Sequence, residues 1–237
     1  MKKIFLILII NLTVLISANN EITITDNQIQ GRLNIVNGYS SECVMHKFYT
    51  DTGWVQIEGE IGRNGIDGLY FKKKNGVIRE VLVAESKWNT SRLGRSGKNK
   101  LIRQMSQQWI LRTLDRLQKY KPLLEYQTII KLVEHNQYRA RLFKIFPVGQ
   151  DKVQIHIYKI KNKASNAFDT FIEKKLKPIT MTDPRNRFER SILTSYNICR
   201  TKALHKYFPM LNDRNITDLL QDNYLTKFDL LKLLRRE

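Results

Sequence analysis

Three ionisable residues, Asp67, Glu85 and Lys87, stand out within residues 64–88, NGIDGLYFKKKNGVIREVLVAESKW, which otherwise have the pattern of a β-hairpin. Glu85 and Lys87 follow the apolar run VLVA and are two residues apart, so their side chains point to one face of a strand. Charged groups at the end of an apolar strand are costly unless they pair, meet water or bind a metal. Two carboxylates suit Mg²⁺ or Mn²⁺, and a nearby lysine can orient a water. A simple salt bridge between Glu85 and Lys87 is the alternative interpretation.

The register of the hairpin decides whether Asp67 shares that face. If Asn75-Gly76 alone forms the turn, which this dipeptide favours, Asp67 and Glu85 lie on opposite faces. If residues 74–76 form a three-residue loop with a bulge at Gly76, Asp67 opposes Val83 and shares a face with Glu85. The chemistry requires the second register, which we therefore predict.

The rest of the chain predicts alternating helices and strands. A short helix beginning at Ser40 or Ser41 is expected after a polar strand or arm, and residues 101–120 and 123–136 have the spacing of amphipathic helices. RARLFKIFPVG and KVQIHIYKI are predicted strands. From residue 161 every segment, NAFDTFIEKKL included, is predicted to be helical. The chain thus divides into residues 1–18, an α/β domain at 19–160 and a basic helical subdomain at 161–237.

The N-terminus has the pattern of an export signal. Lys2 and Lys3 precede an apolar run that ends at Ser17-Ala18. This predicts a secreted or periplasmic protein with no stable membrane span after cleavage. An uncleaved anchor is the alternative, although the run is shorter than the roughly 20 residues of a transmembrane helix. Cys43 and Cys199 allow one disulfide in an oxidising compartment.

Charge is distributed unevenly along the chain. The formal net charge is +19; residues 19–60 contain two basic and six acidic residues, whereas residues 61–237 contain 37 basic and 16 acidic residues. A basic body of this kind favours a polyanionic partner, which could be nucleic acid, an anionic membrane surface or an acidic protein. An AT-rich genome, which enriches Lys, Asn and Ile, is the alternative source of the charge.

Asp67 in GIDG, followed by VLVAESK, resembles the PD-(D/E)XK motif of the restriction-endonuclease-like nuclease superfamily. The wider stretch GEIGRNGIDGLYF…VLVAESKWNTSRLG…QMSQQWI resembles nuclease domains of bacterial contact-dependent and polymorphic toxins, over about residues 41–109. Gly65-Ile66 stands where the motif name has a proline. The resemblance implies an α/β fold with a mixed sheet flanked by helices, and the predicted C-terminal helical extension lies outside it. It also implies metal-dependent hydrolysis of DNA or RNA. The resemblance to toxin nucleases further suggests an immunity protein as a partner.

The resemblance further assigns roles to individual residues. Asp67 and Glu85 would bind Mg²⁺ or Mn²⁺, and Lys87 would assist the attacking water. A glutamate on a preceding helix often joins such sites, and Glu42 is the candidate, with Glu58 and Glu60 as rivals. Gln104 matches a glutamine that some branches carry on the helix after the lysine. These five catalytic candidates are Asp67, Glu85, Lys87, Gln104 and Glu42.

The loop NTSRLGRSGKNK could contact phosphates, and a solvated loop is the alternative. Its candidate nucleic-acid-binding residues are Arg92, Arg95, Lys98 and Lys100. Trp88 and Trp109 could stack on bases, although such residues are more often part of a core. Two functions other than a nuclease stay open: an inactive nucleic-acid-binding module of the same fold, and a secreted protein that binds anionic surfaces.

Overall fold

The computed structural model describes residues 25–61, 64–96, 102–149, 152–161, 170–180, 182–221 and 225–234. The predicted signal at 1–18 and the candidates Lys98 and Lys100 lie outside these residues. In chain order the elements are α1 (Asp26–Asp51), β1 (Val55–Ile57), β2 (Glu60–Ile61), β3 (Asn64–Gly65), β4 (Gly68–Lys74), β5 (Val77–Trp88), β6 (Arg95–Ser96), β7 (Ile102–Arg103), α2 (Gln107–Tyr120), α3 (Leu124–Glu134), β8 (Arg139–Pro147), β9 (Lys152–Ile160), β10 (Thr170–Lys175), β11 (Ile179–Thr180), α4 (Arg187–Tyr207), α5 (Asp213–Gln221) and α6 (Lys227–Leu234).

A mixed seven-stranded sheet organises the molecule. Its strand order is β1-β4-β5-β8-β9-β10, with β11 also paired to β9. Strands β5 and β8 are parallel, and every other pair of described strands in this sheet is antiparallel. A parallel pair needs a long crossover, which residues 89–138 supply with β6, β7, α2 and α3. The predicted α/β fold, with a mixed sheet flanked by helices and further helices at the C-terminus, is confirmed.

Helices cover both faces of the sheet, and strand β5 divides its side chains between them. Leu82 and Ala84 pack in a core with α1 and α4, whereas Val81 and Val83 pack in a second core with α2 and α3. Side chains alternate along a strand, so Glu85 points to the α2–α3 side, as Val81 and Val83 do.

Helix α1 is much longer than the sequence predicted. The expected short helix from Ser40 or Ser41 is wrong, because one helix runs from Asp26 to Asp51. The strand or arm predicted over residues 19–31 is wrong for residues 26–31, which belong to this helix, and residues 19–24 lie outside the described residues. Thr25 and Gln28 form a capping box at its start. Ser40 and Ser41 lie inside the helix, buried, and each hydroxyl donates to the carbonyl four residues earlier. The first half is stabilised by apolar packing against the C-terminal helices, which a local pattern cannot reveal.

The region after residue 161 contributes to the main sheet as well as to helices. The predicted helix in NAFDTFIEKKL is wrong over residues 170–175, which form edge strand β10 against β9. Helix α4 packs on the first core, and its end joins α5, α6 and the start of α1 in a third core. A disulfide between Cys43 and Cys199 joins α1 to α4. Among the described residues, no helix is both long and apolar enough to cross a membrane.

Helix α2 begins later than predicted. The pattern from residue 101 suggested one helix to residue 120, but Ile102 and Arg103 form β7 and the helix starts at Gln107, capped by Ser106. Met105, just before the cap, has a φ of 69°. Gln104, which the resemblance places on a helix, therefore lies in the turn that precedes α2. The predictions of α3, β8 and β9 are confirmed.

Candidate active site

Asp67 and Glu85 share one face of the sheet because of a bulge in β5. The turn is the two residues Asn75-Gly76, both with positive φ (52° and 76°), as a type I′ turn requires. The predicted three-residue loop is therefore wrong. Arg79 is the extra residue of the bulge, since Lys73 pairs with Ile78 while Lys72 pairs with Glu80. The register stays displaced by one residue from there to the pair of Gly68 and Ala84. Asp67 consequently lies level with Glu85, and the predicted shared face is correct for a different reason.

Hydrogen bonds hold both carboxylates in place. Oδ2 of Asp67 accepts a hydrogen bond of 2.8 Å from the backbone N–H of Ser86. Glu85 is only 1% exposed, and its Oε1 accepts from Nζ of Lys87 at 2.5 Å and from Nε2 of Gln104. The other end of the Gln104 amide accepts from the N–H of Gly94 at 2.9 Å. Gln104 thus ties Glu85 to the loop after β5, and the salt bridge between Glu85 and Lys87 exists within a larger cluster.

The electrostatics of this cluster are unfavourable for an ionised carboxylate pair. Burial raises the pKa of Glu85 well above its usual value, and the neighbouring Asp67 raises it further against the opposing effect of Lys87. Burial alone would lower the pKa of Lys87, but Glu85 and Asp67 raise it overall. No donor within the described residues reaches Oε2 of Glu85, although this atom is buried. An additional positive charge would therefore stabilise the ionised pair.

Glu42 and Glu60 both belong to the surroundings of Asp67. The pKa of Glu42, on α1, is raised to about 7 by burial and then by Asp67 and Glu60, while Lys87 opposes this. The pKa of Glu60 is raised by burial, Asp67 and Glu58. Glu60 also lines the cavity described below, whereas Glu58 is exposed. The helix-borne candidate Glu42 is thus brought near the cluster, as predicted, together with its rival Glu60.

His46 is a neighbour of the site that the sequence did not indicate. It lies one turn after Glu42 on α1, and its Nδ1 is 2.7 Å from the hydroxyl of Tyr70. Burial lowers the pKa of His46, and Asp67 opposes this effect. The helical spacing of Glu42 and His46 is the only sequence signal that could have linked the histidine to the site.

A cavity of about 590 Å³ opens beside the carboxylates. Arg95 of the predicted basic loop lines it, but Arg92 does not. Sequence reasoning missed two further basic residues, Arg112 and Arg116, which line the cavity from α2. They lie one turn apart on the polar face of α2. Only the apolar face of this helix entered the predictions from sequence, although the four-residue spacing of the two arginines indicates that they project to the same side. The full lining is Glu60, Gly65, Asp67, Glu85, Gly94, Arg95, Ser96, Gln104, Trp109, Arg112, Thr113 and Arg116.

The donor set limits which metal the site can hold. Within the parts of the chain that the structure describes, no group of three or more His, Cys, Asp or Glu side chains is arranged to hold an ion. Asp67 and Glu85 form a pair, and Mg²⁺ is commonly held by one or two carboxylates while water and phosphate oxygens complete its shell. The buried, unpartnered Oε2 of Glu85 fits such a hard cation. These residues therefore suit Mg²⁺ or Mn²⁺ and do not suit a fully protein-ligated ion.

Comparison of the chain with protein-family models, with curated proteins and with solved structures finds no match.

Proposed function

We propose that this protein is a divalent-metal-dependent nuclease that hydrolyses phosphodiester bonds in DNA or RNA. The observation that carries the proposal is that one cavity is lined by both kinds of charge. Asp67 and Glu85 line it with a deficit of positive charge, and Arg112 and Arg116 line it from α2 without acidic partners in the described chain. A phosphate together with a divalent cation would satisfy both kinds of charge at once.

Each residue of the cluster has a chemical task in this proposal. Asp67 and Glu85 would hold Mg²⁺ or Mn²⁺, which supplies Lewis-acid stabilisation of the phosphate and lowers the pKa of a bound water. Lys87, hydrogen-bonded to Glu85, can orient the attacking water or stabilise negative charge on the phosphate. Gln104 restrains the Glu85 carboxylate. Water would attack phosphorus, the bond to the leaving sugar oxygen would break, and that oxygen would take up a proton in place of the one lost by the water, so that no covalent intermediate forms.

Export and a protein partner belong to the same proposal. The signal-like residues 1–18 are the reason to propose a secreted or periplasmic nuclease, and the Cys43–Cys199 disulfide is compatible with an oxidising compartment. An immunity protein that blocks the site stays a proposal that follows from the resemblance to toxin nucleases.

The experiment is a cleavage assay of the purified protein on plasmid DNA, single-stranded DNA and transfer RNA, with Mg²⁺, Mn²⁺ or EDTA. We expect cleavage that needs the metal. Asp67→Asn, Glu85→Gln and Lys87→Met should each reduce it by on the order of 100-fold or more, because such groups supply several kcal/mol of transition-state stabilisation.

Two matched controls are available near the site. Glu80→Gln lies on the same strand as Glu85, in a surface ion pair with Arg139, and Lys73→Met removes a lysine of β4 that pairs with Glu125. Both should cleave like the wild type. Cleavage that survives Asp67→Asn and Lys87→Met would overturn the assignment. Tight, salt-sensitive binding without cleavage would identify an inactive binding module instead.

A further inference from the structure

One wall of the cavity is a face of helix α2. Trp109, Arg112, Thr113 and Arg116 follow a spacing of three, four and seven residues, so they project to one side of the helix. The other side of α2 is held in the second core by Ile110, Leu114 and Leu117. The wall is therefore fixed by packing, which is the condition for a preformed ligand site.

The charged groups of this wall are available to a ligand. Arg112 and Arg116 are exposed, and no hydrogen bond or ion pair engages either one in the described part of the chain. Arg95, which lines the cavity from β6, is equally without a partner among those residues. A guanidinium group matches a phosphate with two parallel hydrogen bonds. The arginines of this wall can thus contact a phosphate directly, in a part of the cavity separate from the carboxylate pair.

Trp109 adds a flat apolar surface about one helical turn before Arg112. Its indole is partly buried against the second core and also lines the cavity. An apolar ring face does not contribute to binding a phosphate or a hydrated divalent cation, whereas any nucleobase can stack on it. Bases within a duplex are already stacked on each other and become available to a side chain only when they are unstacked. The cavity of about 590 Å³ also falls within the roughly 300–1,000 Å³ typical of small-molecule sites.

We propose that this cavity binds one unpaired nucleotide, with its base on Trp109 and a phosphate held by Arg112 and Arg116. The substrate class is therefore single-stranded or locally unpaired nucleic acid. The location of this nucleotide next to the bond that is cleaved rests on the proposed nuclease function, but the binding itself does not.

The test measures binding in EDTA, where metal-dependent cleavage cannot occur. Fluorescent oligonucleotides of one sequence are used as single-stranded DNA, single-stranded RNA and the corresponding duplexes, with affinity read from anisotropy. At least one single-stranded polymer should bind about tenfold or more tightly than its duplex. Trp109→Leu should weaken that binding by about 5-fold to 150-fold, the range for loss of one stacked base, and leave duplex binding unchanged.

Further variants separate stacking from charge and from folding. Trp109→Phe, which keeps an aromatic plane, should retain most of the affinity. Tyr120→Leu removes an exposed aromatic residue of the same helix that lies outside the cavity and should change nothing. Arg112→Gln should weaken single-strand binding and lower the salt dependence by about one counterion. If Trp109→Leu does not fold, the proposal is tested by the wild-type ratio of single-strand to duplex affinity and by the single-strand affinity of Trp109→Phe.

Failure of this inference is distinguishable from failure of the proposed function. Equal affinity for single strands and duplexes, or an equal loss on both in Trp109→Leu, would overturn the unpaired-nucleotide site even if cleavage depends on Asp67 and Glu85. Conversely, Trp109-dependent binding of single strands without any cleavage would support this site and refute the nuclease.

Discussion

Replacement of Glu42 by glutamine is expected to stabilise the protein at neutral pH. The pKa of Glu42 rises from 4.5 to about 7 in the folded state because of burial first, and then because of Asp67 and Glu60. The folded state therefore binds this proton more tightly than the unfolded state does, and stability must fall as pH rises from about 4.5 to 7. Glutamine resembles the protonated glutamate and avoids this loss.

The size of the effect follows from the displacement of the pKa. A change from 4.5 to about 7 corresponds to about 3 kcal/mol of unfolding free energy, since each pH unit is equivalent to about 1.4 kcal/mol. Glu42 is only partly buried, and screening by solvent reduces this to about 2 kcal/mol. The gain from Glu42→Gln should be near zero at pH 4, should grow up to pH 7 and should be constant above it.

Urea unfolding of the wild type and Glu42→Gln across this pH range measures the gain directly. Glu80→Gln, which removes a surface carboxylate, is the matched control and should show no such growth. Added Mg²⁺ should shrink the gain at pH 8, because a nearby cation favours the ionised glutamate. A gain that is the same at pH 4 and pH 8, or a loss at pH 8, would refute the electrostatic interpretation of this site.

Three further predictions concern the framework around the site. In Gly68→Ala, the added Cβ would lie 2.6 Å from Cε2 and 2.8 Å from the hydroxyl oxygen of Tyr70. We therefore expect the free energy of unfolding, measured with urea, to fall by about 1–3 kcal/mol, and an unchanged value would contradict this packing. Thr25→Ala removes the cap of α1 and should cost about 1 kcal/mol, seen as a lower Tm. Replacing both Cys43 and Cys199 by serine opens a link across 156 residues and should cost about 2–4 kcal/mol; unchanged stability relative to the oxidised wild type would argue against the disulfide.

The sequence alone determined the parts of the structure that depend on local geometry. The two-residue separation of Glu85 and Lys87 puts both on one face of any strand, and the apolar run before them indicates a buried strand. The same local rules identified helix α3 and strands β8 and β9, because periods of 3.6 and 2 residues follow from backbone geometry.

The tertiary structure decided everything that depends on contacts between distant residues. The bulge at Arg79 aligns Asp67 with Glu85, and nothing in the local sequence required it, since Asn75-Gly76 forms the turn it normally favours. The approach of Glu42 to Asp67 depends on how a 26-residue helix packs against one face of the sheet. Trp109, Arg112 and Arg116 line the same cavity as the carboxylates because the crossover from β5 to β8 includes α2. Local periodicity fixes which side of an element a residue occupies, whereas packing across the core fixes what that side meets.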